Sequence, residues 1–391
     1  MHQTRATMEK AMVLVFILVA MFVGEAVGAV PISCGDVREI LAGPGPSPLD
    51  AESPRRLDGR AVDDLACFAD PSGALTFATP ADFRGVVFGA GVSFGSARFA
   101  KEVSFQEAKF DATPDSLHGQ KIEFAGAVFE READFTGASF RANASFNRCK
   151  FGGDVRFSRG RFSKDLWLGQ SRFDGNLLLD HIEVGEFVEL SRSTIVGDVD
   201  IDGAQIHGVL ELEDAKLLGS LSILRATVGV LWMQSVRIVG RLDGSYSVFG
   251  GAKAIMEPGQ ATSLLERVVA EGQVDFSDAR FAGPTIVSRA EFKEGVDLRG
   301  TAFDGPIEWS RVESGRIRID DVVRSFAERL VPRIDHTGRL KARGEAQPDA
   351  GIETVGAVIA RLREGFRETW QVEQFNALSA LIYERDPELS W

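Results

Sequence analysis

Large apolar residues recur along the chain at gaps that alternate between five and six. The series runs Phe83, Phe88, Phe94, Phe99, Phe105, Phe110, then Phe124, Phe129, Phe135, Phe140, Phe146, Phe151, Phe157, Phe162, Leu168 and Phe173. Aliphatic residues keep the metre at Leu179, Val184, Leu190, Ile195, Ile201, Ile206, Leu212, Leu217, Ile223 and Val228, and it returns at Phe276, Phe281, Val287, Phe292, Leu298 and Phe303. A helix repeats every 3.6 residues and a strand every two, so neither explains the pattern. A chain that turns a corner after each five or six residues, with one large side chain pointing inward per side, does explain it. Four sides of five, six, five and six residues close a coil of 22, which stacks Phe83 on Phe105. With coils about 4.8 Å apart, the series predicts roughly nine or ten layers and a rod on the order of 45 Å long. The predicted fold is an all-β solenoid, a four-sided β-helix over residues 81–320.

The metre fails in places, and each failure predicts a different element. Residues 111–123, with Pro114 and His118, read as a protruding loop. Residues 252–273 contain Ser263 and Glu266 in capping-box spacing ahead of Leu264, Leu265, Val268 and Val269, which predicts a helical insertion. Residues 30–80 are expected to cap the first layer. Residues 321–391 are expected to form an α-helical C-terminal cap. There Val355, Ile359, Leu362, Phe366 and Trp370, then Phe375, Leu378, Leu381 and Ile382, recur at helical spacing and predict a hairpin.

Short blocks within the series share a further pattern: Ala81-Asp82-Phe83-Arg84-Gly85, Ala133-Asp134-Phe135-Thr136-Gly137, Val199-Asp200-Ile201-Asp202-Gly203 and Val296-Asp297-Leu298-Arg299-Gly300. In these blocks the chain resembles the pentapeptide-repeat family, in its branch of paired eleven-residue repeats, over residues 81–319. The resemblance implies a right-handed four-sided β-helix. It also raises the prospect of an acidic rod that mimics DNA and shields gyrase, as some members do.

Composition changes this picture in three ways. The chain holds 28 Phe against 2 Tyr, as suits enclosed positions where a hydroxyl would lack a partner. Its 57 acidic and 44 basic residues give a net charge of -13, so a sequence-independent grip on nucleic acid is not expected. Residues 1–29 read as a secretory signal, with Arg5 and Lys10 before the apolar run Ala11 to Val23 and cleavage expected after Ala29; Met8 is an alternative start. The apolar run is too short for a permanent span. The protein is therefore expected to be periplasmic or secreted, without a stable membrane span after cleavage, which argues against the gyrase reading. Export also favours a disulfide between Cys34 and Cys67, leaving Cys149 as a buried thiol rather than a nucleophile.

Candidate chemistry emerges when the sequence is wound at 22 residues per coil. Trp167, Glu189, Glu211 and, after a one-residue deletion near Gly229, Trp232 fall in one outward column. Asp180 stacks with Asp202, and Asp200 lies beside them. Residues 174–214 hold eleven acidic residues against Arg192 alone, whereas the preceding segment has Arg141, Arg148, Lys150, Arg156, Arg159, Arg161 and Lys164, which predicts a charge dipole along the rod. The acidic column reads first as a solvated face and second as a binding face for a sugar, a basic partner or calcium. A retaining-glycosidase pair at Glu189 and Glu211 is the third reading. No cofactor and no metal site is expected; no motif for nucleophilic, phosphate or zinc chemistry is present in the sequence. The expected function is an exported non-enzymatic scaffold that presents a repetitive surface to a protein or envelope partner, with a homodimer through the helical C-terminus as one possible assembly. The alternative is a carbohydrate-binding or carbohydrate-active β-helix.

Overall fold

The computed structural model describes residues 30–31, 60–62, 75–88, 93–110, 121–250, 262–305, 307–315 and 317–318. The expected signal, the Cys34–Cys67 pair and the C-terminal hairpin lie outside these residues. Within them every strand pairing is parallel, and most strands are two residues long. The register steps by 22 residues: Phe129 pairs with Phe151, Phe151 with Phe173 and Phe173 with Ile195. The chain is an all-parallel β-solenoid wound at this pitch.

The strands form three sheets. One eleven-stranded sheet runs from Thr76–Phe77 to Glu313–Ser314, and another from Ala81–Asp82 to Ile317–Arg318. The nineteen-stranded third sheet contains two runs of pairing, one through Ser139–Phe140 and Arg161–Phe162 and one through Leu166–Trp167 and Val188–Glu189. Gln205–Glu211 and Thr227–Gln234 belong to both runs, because the backbone passes the corner without leaving strand geometry. Val30–Pro31 and Arg60–Val62 extend this sheet, so part of the expected N-terminal cap continues the solenoid.

Stacked rings fill the first half of the interior. Phe110 and Phe140 lie 4.5 Å apart at 7°, and Phe99 and Phe129 lie 4.8 Å apart at 4°. Rings on neighbouring sides meet edge to face, as do Phe94 and Phe105 at 5.3 Å and 81°. Each ring thus combines offset stacking along the rod with edge contacts across it, the two arrangements an aromatic quadrupole favours.

The apolar series does not pause between Val228 and Phe276. Met233, Ile238, Phe249, Leu265 and Ala270 are all buried and carry it through. A Cβ at Gly244 would lie 2.6 Å from the ring of Phe276, so that ring occupies the space a side chain at Gly244 would need.

Two recurring devices make the corners. After Phe83, Phe94 or Phe105 the chain makes a turn closed by N–H donation to the ring residue's carbonyl, at 2.9 Å from Ala97 to Phe94. The third residue of such turns has positive φ, 69° at Gly137 but also 51–59° at fifteen non-glycine residues including Arg148, Arg192 and Arg225. The Asp of the sequence motif fixes this turn: Asp134 Oδ1 accepts the N–H of Thr136 at 2.9 Å, and Asp200 Oδ1 that of Asp202 at 2.9 Å. At a second type of corner neighbouring coils approach until a side chain no longer fits. A Cβ on Gly208 would stand 2.1 Å from the Glu186 carbonyl oxygen.

Two expectations need correction. Residues 263–266 form no helical turn. Ser263–Glu266 is a strand paired with Trp232–Gln234 and Thr285–Ser288. The Ser263 hydroxyl accepts the N–H of Leu231 at 3.4 Å instead of capping a helix, and Leu265 and Val268 turn into the core. Tertiary pairing overrides a local signal there. The expected loop at 111–123 also ends earlier, because Lys121–Glu123 pairs with Asn143–Ser145.

Gly208→Ala is therefore expected to lower folding stability by about 1–3 kcal/mol, because the backbone must move to admit one methyl. Gly137→Asn should stay within about 1 kcal/mol, since Asn tolerates the left-handed region and its Cβ would meet Glu107 Cγ at a comfortable 3.4 Å. Denaturant melts of the two variants check the pair.

Candidate functional site

The column expected from winding the sequence is present. Trp167 pairs in register with Glu189, Glu189 with Glu211, and Glu211 with Trp232 across the one-residue deletion. Leu264 and then Ile286 continue the line. Leu166, Val188, Leu210 and Leu231, one residue earlier in each strand, are buried. Strand alternation therefore turns the column outward. Trp232 is 39% exposed, and Trp167, Glu189 and Glu211 are half-buried.

Glu189 folds back along the ladder, so that a Cβ on Gly169 would lie 2.6 Å from its Oε1. Burial raises its pKa above the ordinary carboxylate value, the adjacent Glu211 raises it further, and Arg192 opposes both. Glu211 Oε1 accepts the hydroxyl proton of Ser191 at 3.2 Å. These two side chains are the only ionisable members of a row whose other positions are apolar from Trp232 to Ile286.

The aspartates beside them do structural work. Asp180 accepts from the Ser158 hydroxyl and lies 3.3 Å from His181 Nδ1. Asp202 accepts from the Ser222 hydroxyl and, at 3.0 Å, from the Leu224 N–H of the next coil. Asp200 closes its own turn, and its pKa is raised by burial. A further corner is tied by side chains reaching one coil on: Asp154 accepts from Asn176 N–H at 2.9 Å, Asn176 from Asp198 at 2.9 Å, and Asp198 from Ser220 at 2.7 Å. Much of the acidic surplus is thus spent on satisfying backbone donors. Among the described residues no group of three or more His, Cys, Asp or Glu is arranged to hold a metal ion.

Winding also changes the expected charge dipole. The basic segment and the acidic segment meet across coils, where Lys164 pairs with Glu186 and Arg161 lies 3.9 Å from Glu183. Opposite charges therefore neutralise at the boundary between the blocks. The sequence reading did not anticipate a second organisation. The outward positions of the Thr76–Phe77 sheet read Arg98, Val128, Lys150, Arg172, Thr194, Lys216 and Arg237, a largely cationic row. Each of these stands immediately before an inward residue, and stepping 22 residues from Lys150 would have exposed the row.

Cys149 is buried. Its Sγ lies 3.2 Å from the Phe124 carbonyl oxygen, and burial pushes its pKa to about 12. Ser171 and Ser193 occupy the same position in the next two coils, donating to the carbonyls of Phe146 and Leu168 at 2.9 Å. The cysteine is one rung of a buried ladder of small hydrogen-bonding side chains.

Residues 124–172, and again 135–183, match the family described as pentapeptide repeats in nine copies. The chain carries pentapeptide repeats. The matched stretch includes Trp167 and Asp180, and the pentapeptide-repeat register continues beyond it through the same ladders. The chain matches no curated protein and no solved structure.

The raised pKa of Glu189 favours its protonated form in the folded state. Its contribution to stability is therefore greatest below the unfolded carboxylate pKa and is lost as pH rises through the folded value. Glu189→Gln should raise the melting temperature at neutral pH, with the gain disappearing below about pH 4. For Cys149, in a chain with Cys34 and Cys67 replaced by serine, iodoacetamide should leave the native thiol unmodified at pH 8 and alkylate it in denaturant.

Proposed function

We propose that this chain is an exported, non-enzymatic scaffold: a right-handed rod of four-sided cross-section, covered at its C-terminal end by helices, that presents its sides to a protein or envelope polymer. The observation that carries this reading is the Trp167–Glu189–Glu211–Trp232 column, an ordered outward row on parallel strands. Glu189 and Glu211 stand on neighbouring coils of one ladder, with tryptophans at both ends. Repetition supplies many equivalent, rigidly spaced contacts, which suits recognition of an extended partner. Aromatic residues beside an exposed polar row are the composition of contact surfaces.

The geometry gives less support to catalysis. A general acid and base need environments that push their pKa values apart, with a shaped cleft around them. Here a resolved upward shift is found for Glu189, and Glu211 is held by the Ser191 hydroxyl. An apolar cavity bordered by Leu265, Phe276, Val287 and Leu298 lies inside the last coils, away from this column.

All the breaks of the metre border the same ladder. The chain leaves the solenoid after Phe110 and after Gly250, and the deletion falls at Gly229. Each lies at the corner that leads into the row of Glu123, Trp167 and Trp232. Insertions that collect at one edge of a repeat protein are a mark of its contact side.

Trp167→Ala combined with Trp232→Ala should weaken sedimentation of the purified full chain with isolated envelopes by about tenfold. The melting profile should remain cooperative. Retention of full binding by that variant contradicts the assignment of the partner surface to this column.

A further inference from the structure

The cationic row and the Trp/Glu column occupy the same coils, on either side of one tight turn. Trp167 is followed five residues later by Arg172, Glu189 by Thr194, Glu211 by Lys216, and Trp232 by Arg237. The turns between them close by N–H donation from Ser193 to the Leu190 carbonyl and from Ala215 to that of Leu212, both at 3.2 Å. Between Leu177 and Ser220 the chain has two cations, Arg192 and Lys216. Both stand on the cationic row or at the turn leading into it. The charges facing this row are Asp174, 2.6 Å from Arg172; Asp214, 3.8 Å from Arg192; and Glu271, which accepts from Arg237 Nε at 2.9 Å.

A strip of exposed aliphatic residues borders the row. Val196, Leu218 and Val239 are 38%, 48% and 37% exposed and sit on three successive coils, each one step past the inward Ile195, Leu217 and Ile238. With Trp232 they make four of the five large apolar side chains exposed among the described residues.

The geometry points to a second copy of this chain as the partner of the Trp/Glu column: the cationic row of one rod lies along the column of the next, in a closed ring. This rests on reading the column as a contact surface. Two features select this occupant. A partner must offer charges at the coil spacing of about 4.8 Å, and another copy of the solenoid does so without adjustment. Cyclic symmetry has no shift along its axis, so each coil meets the same coil of its neighbour. In that alignment Lys216 faces Glu211, Arg192 faces Glu189, and Arg172 and Arg237 face Trp167 and Trp232 as cations over rings. The aliphatic strip closes against the column's tryptophans. Because the two surfaces differ, the contact is head-to-tail, and it closes with more than two members.

Sedimentation velocity of the full chain tests this. The wild-type chain is expected to be larger than a dimer in low salt and to fall to a monomer in molar salt, where such charges are screened. Lys216→Glu with Arg237→Glu should be monomeric in low salt with an unchanged circular dichroism spectrum, and so should Glu189→Lys with Glu211→Lys. Mixing the two reversed chains should restore the assembly, since every contact is again between opposite charges. A wild-type monomer at low salt, an oligomer that survives both reversals, or a mixture that stays monomeric overturns the ring. Loss of envelope binding in the tryptophan variant of a monomeric chain would leave the partner reading standing while this inference fails. A ring that forms normally while envelope binding ignores those tryptophans would do the reverse.

Discussion

The structure depends on backbone hydrogen bonding between successive coils. Strands of two residues have no stability of their own, and each is held by N–H groups donated to the same side of the neighbouring turn. Phe83 N–H reaches the Ser104 carbonyl at 2.7 Å, Phe105 that of Asp134 at 2.6 Å, and Phe135 that of Arg156 at 2.6 Å. This constraint fixes the spacing of the coils and hence the stacking of the rings. It also makes outward residues 22 apart vertical neighbours. A solenoid of this kind cannot adjust one coil without its neighbours. For that reason close-approach glycines and left-handed turn residues recur at matching positions.

Side chains extend the same logic. The Asp before an inward residue satisfies the turn that follows, and the Asp154, Asn176 and Asp198 series satisfies donors one coil away. A chain of net charge -13 would otherwise place many carboxylates on a narrow rod at strand spacing, where they repel. Hydrogen bonding to backbone N–H groups, and pairing such as Lys164 with Glu186, absorbs part of that cost. The half-buried Glu189 and Glu211, stacked without an intervening cation, are where repulsion persists. A surface that stores such repulsion gains most from an incoming positive charge.

Much of this was legible before any coordinates. The alternation of five and six gave the pitch, the inward residues and the Trp167-to-Trp232 column, because a rigid period converts sequence distance into spatial contact. Where the period was masked, the reading failed. Gly244 and Ala270 occupy inward positions without a large side chain, and the deletion at Gly229 shifted the count by one; the coils between Val228 and Phe276 looked like an interruption. Ser263 and Glu266 carried a helix-start signal that pairing with Trp232–Gln234 outweighed. The cationic row was missed for a different reason. Its members are scattered among acids along the chain, so charge summed over linear segments hides a face that exists only after winding.

The pitch itself can be measured most directly with spin-label pairs on one row, in the cysteine-free chain. Arg98 paired in turn with Lys216, Arg237 and Val269 should give distances of about 24, 29 and 34 Å, equal steps of one coil, although the last two positions are 32 residues apart in sequence. Separations that instead follow sequence distance, or that do not grow by one strand spacing per step, would contradict the winding on which every surface assignment depends.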